Sequence, residues 1–166
     1  MRNDDFSLLS PEKMAEKLRI AVVGVGGMGG KHAELIAQNP KASLVGVCDL
    51  DKAKADACAA KLKTKAWYSH GELLEKEKLD AITIGTPHYE HPVIAMAAFD
   101  KGLHVLSEKP LGVTAGSVQE ALASWKKARE KKSGLVYGVM FQERTFPHYR
   151  KLKELIMAYQ LEKQFS

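Results

Sequence analysis

The chain has 166 residues, 45% of them hydrophobic and 27% charged, with a formal net charge of +5. This composition is typical of a globular protein long enough for one domain with its own core, and no apolar run approaches the ~20 residues of a membrane span. The first residues lack the apolar stretch of a secretion signal. Only Cys48 and Cys58 could form a disulfide, so cysteine usage favours a reducing, cytoplasmic setting.

Strands and helices are predicted to alternate along most of the chain. Residues 1–17 are predicted to form a leader with a short helix, capped by Ser10 and begun at Pro11. The predicted strands are 18–23, 43–48, 80–85, 103–106 and 134–139, and the predicted helices are 27–38, 51–62, 70–77, 91–101 and 115–132, the last capped by Thr114 or Ser117. This alternation predicts an α/β fold, a doubly wound and mostly parallel sheet with helices on both faces.

A glycine-rich turn follows the first predicted strand and reads Gly24-Val25-Gly26-Gly27-Met28-Gly29. A strand before Gly-x-Gly-x-x-Gly and a helix after it are the context in which this pattern binds a dinucleotide, so we expect a Rossmann-like domain. Gly24 permits the tight turn, Gly26 lets the backbone approach a pyrophosphate, and Gly29 lets the helix pack on the strand. Gly27 and Met28 begin the helix whose N–H groups would face the phosphates. The alternative is a plain turn without a ligand.

An acid, Asp49, follows the second predicted strand, about twenty residues beyond Gly29. An acid at this position can accept hydrogen bonds from the hydroxyls of an adenosine ribose, and it repels a 2′-phosphate. The residue therefore favours NAD over NADP, although Lys52 is close enough to weaken that preference. The alternative is a turn residue, or the N-cap of the helix that begins near Asp51.

A third group of candidates follows the strand predicted at 80–85 and reads Gly85-Thr86-Pro87-His88-Tyr89-Glu90-His91. Open α/β sheets bind ligands at the carboxyl ends of their strands, so Thr86 and Pro87 are assigned to the cofactor site. His88 and His91 invite a metal interpretation, but their spacing is loose and no third ligand is evident nearby, so no metal is expected. His91 is expected to face the cofactor, or else to be an internally satisfied polar residue.

A lysine is placed at the same edge by the segment Ser107-Glu108-Lys109-Pro110-Leu111, which follows the strand predicted at 103–106. Pro110 biases Lys109 toward extended backbone, so the lysine projects at the sheet edge. An ammonium near a nicotinamide could hydrogen-bond a substrate hydroxyl and exchange its proton. The alternative is a surface turn with an ordinary Glu–Lys pair.

A basic run at 126–132, KKAREKK, supplies much of the net positive charge. Such a run could contact a nucleic acid or an anionic membrane. The simpler interpretation is the solvated C-terminal end of a helix, where cations complement the helix dipole. No aromatic residues alternate with these cations and no DNA-binding motif flanks them, so we expect neither partner.

Taken in order, these segments resemble the glucose–fructose oxidoreductase and inositol dehydrogenase family, Gfo/Idh/MocA. The resemblance covers roughly residues 18–157. It is carried by Gly24 to Gly29 with His32, Asp49, Thr86-Pro87 with His91, Gly102-Leu103-His104-Val105-Leu106, Glu108-Lys109-Pro110, and the segment 140–147, which looks like the crossover out of the nucleotide domain. Motif order and context make this pattern more specific than any single motif.

The resemblance implies an NAD(P)-dependent oxidoreductase that moves hydride between nicotinamide and a hydroxyl-bearing carbon, usually on a sugar or polyol. It implies that Lys109 is the catalytic residue, beside the nicotinamide, and helps to remove the alcohol proton. It also implies that Glu108 orients the cofactor, that the Lys109–Pro110 bond is often cis, and that Arg144 lies on the substrate side. His88 stands where many relatives have Asn.

A second domain is the part of the family's architecture that we expect this chain to lack. The resemblance implies that residues 18–146 form the nucleotide-binding domain and that residues 147–166 form a connecting helix and tail. It therefore implies a truncated enzyme, for which we expect weak activity or none. The alternative is a non-catalytic NAD(H)-binding module that needs a second domain in trans. An apolar stripe at helical spacing is predicted to fold back on the nucleotide domain, with some self-association: Tyr149, Leu152, Leu155, Ile156 and Tyr159.

Overall fold

One six-stranded sheet organises the computed structural model, which describes residues 16–164. Every neighbouring pair of strands is parallel, in the order β3-β2-β1-β4-β5-β6. The strands are β1 (Leu18–Val23), β2 (Ala42–Cys48), β3 (Lys65–Trp67), β4 (Ala81–Ile84), β5 (His104–Ser107) and β6 (Tyr137–Val139). The helices are α1 (Gly27–Gln38), α2 (Lys52–Leu62), α3 (His70–Lys76), α4 (His91–Asp100), α5 (Ala115–Lys131) and α6 (Pro147–Gln164), with a 3₁₀ turn at Gln142–Thr145.

Both faces of the sheet are covered, which confirms the predicted doubly wound α/β class. The central strand β1 alternates its side chains between two apolar clusters. Val22 packs with Ala33 of α1 and with residues of α2. Ala21 and Val23 pack on the other face, in the cluster that contains Phe99 of α4. Burial on both faces is the reason that these strands read as near-continuous apolar runs.

Most predicted elements are confirmed with their ends shifted by at most one residue, and larger differences concern β3, the last strand and the cap of α5. The strand β3 was not predicted, because three residues are too short to show a period of two; it pairs with the end of β2. The last strand begins at Tyr137 and not at 134, where Gly134 has a φ of +83° and belongs to a turn. Thr114 is the N-cap of α5, and its hydroxyl accepts the Ser117 N–H at 3.2 Å, so the Ser117 alternative is wrong.

The chain reverses its direction of travel across the sheet at β1. The first half moves outward through β2 to β3, and the second half returns beside β1 as β4 and continues to β6. The loops after β1, β2, β4 and β5 therefore meet at one edge, at the carboxyl ends of the strands. A crevice at such a switch point is where open α/β sheets bind their ligands.

The apolar stripe on α6 does not fold back on the nucleotide domain, so that prediction is wrong. Its five side chains, Tyr149, Leu152, Leu155, Ile156 and Tyr159, are between 45% and 58% exposed. The helix contacts the 3₁₀ turn at Gln142–Thr145, which immediately precedes it in the chain. The physical reason is that α1 to α5 already cover the faces of the sheet.

The N-terminal residues and the question of a membrane span complete the description of the fold. The predicted leader helix, with Ser10 and Pro11, falls in residues that the structure does not describe. Within the described part of the chain, none of the helices is long and apolar enough to cross a bilayer.

Candidate functional site

Three glycines make the turn after β1 possible. Gly24 has a φ of +83°, a backbone conformation that side chains rarely adopt. A Cβ on Gly29 would lie 1.8 Å from the Gly24 carbonyl oxygen, and one on Gly85 would lie 2.8 Å from the Gly29 Cα. These contacts draw α1 against the ends of β1 and β4. The predicted packing role of Gly29 therefore has a direct geometric basis.

The next glycines face open space. A Cβ built on Gly26 or Gly27 has no described atom within 4 Å. Gly26 is the N-cap of α1, and among the described residues no side chain caps this helix. Met28, also in the first turn, is 53% exposed, and that turn holds no acidic residue. The helix start therefore presents unpaired N–H groups and the positive end of its dipole to any anion above it.

A cleft of about 560 Å³ lies beside this helix start. Its walls come from the glycine loop, the Asp49–Asp51 loop and the turn after β4, and they bring together five predicted site residues: Gly24, Gly26, Asp49, Thr86 and Pro87. Sequence reasoning missed Lys54, His70 and Tyr89, which also line it. Their positions on or before helices carry no motif, so no signal in the sequence marked them.

Asp49 connects two loops of the cleft. Its Oδ2 accepts the Val25 N–H of the glycine loop at 3.0 Å, and its Oδ1 accepts the Asp51 N–H at 3.0 Å. Asp51, and not Asp49, is the N-cap of α2. Asp49 thus has the turn role that was one alternative, and each of its oxygens keeps a second lone pair for a ligand hydroxyl.

The lysine that lines the cleft together with Asp49 is Lys54, and not the Lys52 considered above. The Lys52 Nζ lies 5.3 Å from the centre of the Tyr68 ring, and Lys52 is absent from the cleft lining. Lys54 lines the cleft, where its ammonium lies 3.2 Å from the Asp51 Oδ2. Lys52 is therefore not placed where it could weaken a preference for NAD by facing the ligand.

A buried thiol completes the floor of the cleft. Cys48 is 2% exposed, and burial, together with the charge of neighbouring Asp49, raises the pKa of its thiol to about 12. The thiol is therefore protonated at neutral pH and cannot act as a nucleophile. Among the described residues, no group of three or more His, Cys, Asp or Glu side chains is arranged to hold a metal ion.

His91 is fully buried and has internal partners, as the interpretation of a satisfied polar residue expects, and its contact with a cofactor stays a prediction. Its Nε2 lies 2.8 Å from the Thr86 carbonyl oxygen and its Nδ1 lies 2.7 Å from the Pro110 carbonyl oxygen. The ring thus ties the turn after β4 to the loop after β5. A neutral imidazole donates from one nitrogen alone, so both hydrogen bonds form together only in the doubly protonated ring. Thr86 Oγ1 is buried without a hydrogen-bond partner among the described residues.

Lys109 and Arg144 line a second groove, of about 480 Å³, beyond the cis peptide bond between Lys109 and Pro110. Lys109 is exposed, and its side chain makes no ion pair within residues 16–159. The Arg144 guanidinium lies 4.8 Å from the centre of the Phe141 ring. The structure therefore brings together the two residues that the resemblance places next to a substrate.

Glu108 points away from this groove and into the protein. Its side chain is 8% exposed; its Oε1 lies 2.7 Å from the His32 Nε2, and its Oε2 accepts the Lys109 N–H at 3.1 Å. Any effect of Glu108 on a cofactor is therefore exerted through these contacts.

An open helix start at the switch point of a parallel sheet, with an acid at the end of the next strand, places the chain among the dinucleotide-binding domains. The family model described as "Oxidoreductase family, NAD-binding Rossmann fold" matches residues 18–139. The chain belongs to this family, Gfo/Idh/MocA, as its motifs predicted, and the cofactor of the family's domain is NAD.

Relatives of this chain include inositol dehydrogenases. The scyllo-inositol 2-dehydrogenase (NAD(+)) of Bacillus subtilis is 34% identical over 147 residues, covering 87% of this chain and 42% of the relative. The inositol 2-dehydrogenase of Rubrobacter xylanophilus is 29% identical over 145 residues, covering 87% and 41%. The crystal structure of WlbA dehydrogenase from Bordetella pertussis, in complex with NADH and UDP-GlcNAcA, aligns with a TM-score of 0.78 at 26% identity, covering 86% and 42%. The chain spans about two fifths of the length of these relatives.

Proposed function

We propose that this chain is the nucleotide-binding part of an NAD-dependent oxidoreductase that transfers hydride between nicotinamide and a hydroxyl-bearing carbon of a sugar or polyol. The open space above Gly26 and Gly27 carries the proposal, because a pyrophosphate fits there against the N–H groups of α1. An alanine methyl at either position would occupy that space. The NADH-bound relative WlbA, which shares the fold at 26% identity, supports the same assignment.

The residues of the chain divide between binding and proton transfer. We assign Asp49 to the adenosine ribose and the start of α1 to the pyrophosphate, and NADP remains the second choice of cofactor. When bound, NAD supplies the hydride acceptor. Lys109 is assigned to the reacting hydroxyl: in its neutral form its Nζ accepts the hydroxyl proton as the hydride departs. Arg144 is assigned to the substrate, because it lines the same groove as Lys109.

The substrate class and the location are further parts of the proposal. A cyclic polyol is favoured among hydroxyl-bearing substrates, because two of the relatives are inositol 2-dehydrogenases. A cytoplasmic location is supported by the two cysteines, Cys48 and Cys58, which are both free thiols.

A second candidate function is a non-catalytic NAD(H)-binding module that a separate domain completes in trans. Hydride transfer needs a substrate held in near-attack geometry. The groove at Lys109 is bounded on one side by the segment 141–144, which is itself exposed, so a separate domain would be needed to enclose a substrate there. The exposed stripe on α6 offers a surface for such a domain or for self-association, which stays a prediction.

The basic end of α5 gives no comparable support to nucleic-acid binding. The Arg129 guanidinium lies 5.0 Å from the centre of the Trp125 ring, and the Lys132 ammonium donates to the Gly102 carbonyl at 2.7 Å. Two cations of the run are thus engaged by the fold itself.

The test of the proposed function is Gly26→Ala. We expect the variant to lose at least about tenfold in affinity for NADH, measured by calorimetry or nicotinamide fluorescence, because its methyl occupies the phosphate space. The free energy of unfolding should fall by about 1 kcal/mol, because the φ of Gly26, −61°, suits alanine, while alanine is a poorer N-cap than glycine.

The matched control is Gly116→Ala, in the first turn of α5, where the new Cβ would lie 4.0 Å from the Thr114 Oγ1. This variant should bind NADH as the wild type does. Wild-type affinity in Gly26→Ala, or a wild-type chain that binds neither NADH nor NADPH, would refute the proposal.

A further inference from the structure

A buried polar pair joins the glycine-loop helix to the loop that carries Lys109. His32 lies on the second turn of α1 and Glu108 directly follows β5, so the pair bridges residues 76 positions apart. Their side chains are 9% and 8% exposed, and the Nε2 to Oε1 distance is 2.7 Å. Because β4 lies between β1 and β5 in the sheet, this contact spans the carboxyl end of β4, next to the switch point.

The pair continues into the backbone of Lys109. Glu108 uses its second oxygen, Oε2, to accept the Lys109 N–H at 3.1 Å, and its own N–H donates to the Ile84 carbonyl at 2.9 Å. A carboxylate accepts only, so His32 donates from Nε2. Each oxygen of Glu108 thus has a donor inside the protein, and the carboxylate fixes where the Lys109 backbone begins.

Stability alone is a weak reason for such a pair. Replacing a buried ionic pair with apolar residues of similar size is often neutral or stabilising. What the pair does provide is geometry, because it sets the distance between the phosphate end and the nicotinamide end of the crevice. In a doubly wound sheet the dinucleotide lies across these two ends.

We infer that His32 is a positioning residue, which fixes the Lys109 loop relative to the start of α1 by holding Glu108. The effect on NADH binding rests on the proposed function. The effect of His32 on the position of the Lys109 loop does not. His32 touches neither cleft, so it acts through Glu108 and not on a ligand.

The first readout needs no ligand. In His32→Leu we expect the Lys109 amide to exchange its hydrogen with solvent at least about tenfold faster than in the wild type, measured by NMR, because Glu108 is no longer held as its acceptor. His32→Gln keeps an N–H donor at this position and should restore most of the protection. Leu35→Ala, an exposed position on the same helix, is the control and should leave the rate unchanged.

The second readout compares two ligands. We expect His32→Leu to lower NADH affinity about tenfold and to change ADP-ribose affinity by less than about twofold, since ADP-ribose lacks the nicotinamide that lies toward Lys109. A merely structural role would weaken both ligands together. Where His32→Leu fails to fold because Glu108 is left unpaired, the double variant His32→Leu with Glu108→Gln removes the buried charge and takes its place.

Unchanged Lys109 exchange, or an equal loss of NADH and ADP-ribose, would overturn the inference. A wild-type chain that binds neither ligand would refute the proposed function, while the exchange rates would still decide the role of His32.

Discussion

A single side chain at the cleft, Asp49, holds two loops together and is also assigned to the ligand under the proposed function. Its carboxylate accepts one N–H from the glycine loop and one from the loop before α2. The same negative charge would repel the 2′-phosphate of NADP. Under the proposed function, the residue would therefore couple the shape of the loop to the choice of cofactor.

Asp49→Asn should shift the ratio of NADH to NADPH affinity toward NADPH by about tenfold, because the repelling charge is gone. Some stability should be lost as well, about 1–3 kcal/mol, since the amide group cannot accept both backbone N–H groups. Paired titrations with NADH and NADPH measure the ratio. Asp56→Asn removes the same charge from α2 outside the cleft, and an equal shift in that control would contradict the role of Asp49.

His104 predicts a pH dependence of stability. Burial, with a smaller contribution from Lys132, lowers the pKa of its imidazole below the ordinary value near 6.5. The neutral ring is also required by geometry, because Nδ1 accepts the Val136 N–H at 3.1 Å. A lowered pKa in the folded state means that the stabilising effect is fully present above pH ~6.5 and is lost as the pH falls through the folded-state value.

When the pH is lowered from 7.5 to 5.5, the melting temperature of the wild type should therefore decrease by about 2 °C more than the melting temperature of His104→Asn. The asparagine Oδ1 can accept the Val136 N–H at either pH. Parallel melting curves for the two proteins across this range would contradict the assignment.

The candidate site residues that directly follow an apolar strand could be predicted from the sequence. Parallel strands end at one edge, so Gly24, Asp49, Thr86 and Lys109 had to meet there. The pairing of His32 with Glu108 and the burial of His91 could not be predicted. Both depend on side-chain directions between segments far apart in the chain, which no local period encodes.

At the scale of elements, periodicity predicts where helices and strands lie, and it does not predict what a helix packs against. The stripe on α6 has helical spacing, yet its side chains stay about half exposed. The three residues of β3 are the converse case: they have no recognisable period, and they form a strand through their pairing with β2. Tertiary contacts decide both cases.

The exposure of α6 has an energetic consequence. Leu155→Gln should change the free energy of unfolding by no more than about 0.5 kcal/mol, since Leu155 is 57% exposed. Leu73→Ala, at a fully buried position on α3, should cost about 2–5 kcal/mol. Urea titrations measure both values, and a cost above about 2 kcal/mol for Leu155→Gln would show that α6 packs on the domain.

At the scale of the whole molecule, the described residues form a sheet with covered faces and a crevice at one edge. The chain spans about two fifths of the length of its named relatives. A ligand that binds the folded chain stabilises it by mass action. NADH at about a hundred times its dissociation constant should therefore add about 2.7 kcal/mol to the free energy of unfolding. Thermal shift measures this, with adenine alone as the control.

Substrate-dependent formation of NADH from NAD and a polyol by the purified chain is expected to be weak or absent, because the segment 141–144 that bounds the groove at Lys109 is itself exposed. Sustained turnover would favour the enzyme over the binding module.

The close approach of Gly24, Gly29 and Gly85 has a consequence for how this loop can evolve. Any side chain at these three positions meets backbone, so selection for folding alone keeps them glycine. Gly26 and Gly27 meet open space, so under the proposed function the bound dinucleotide, and not close packing, would keep them glycine. A lineage that ceased to use its dinucleotide would therefore diverge first at 26 and 27, while the other three glycines persisted as a record of the fold.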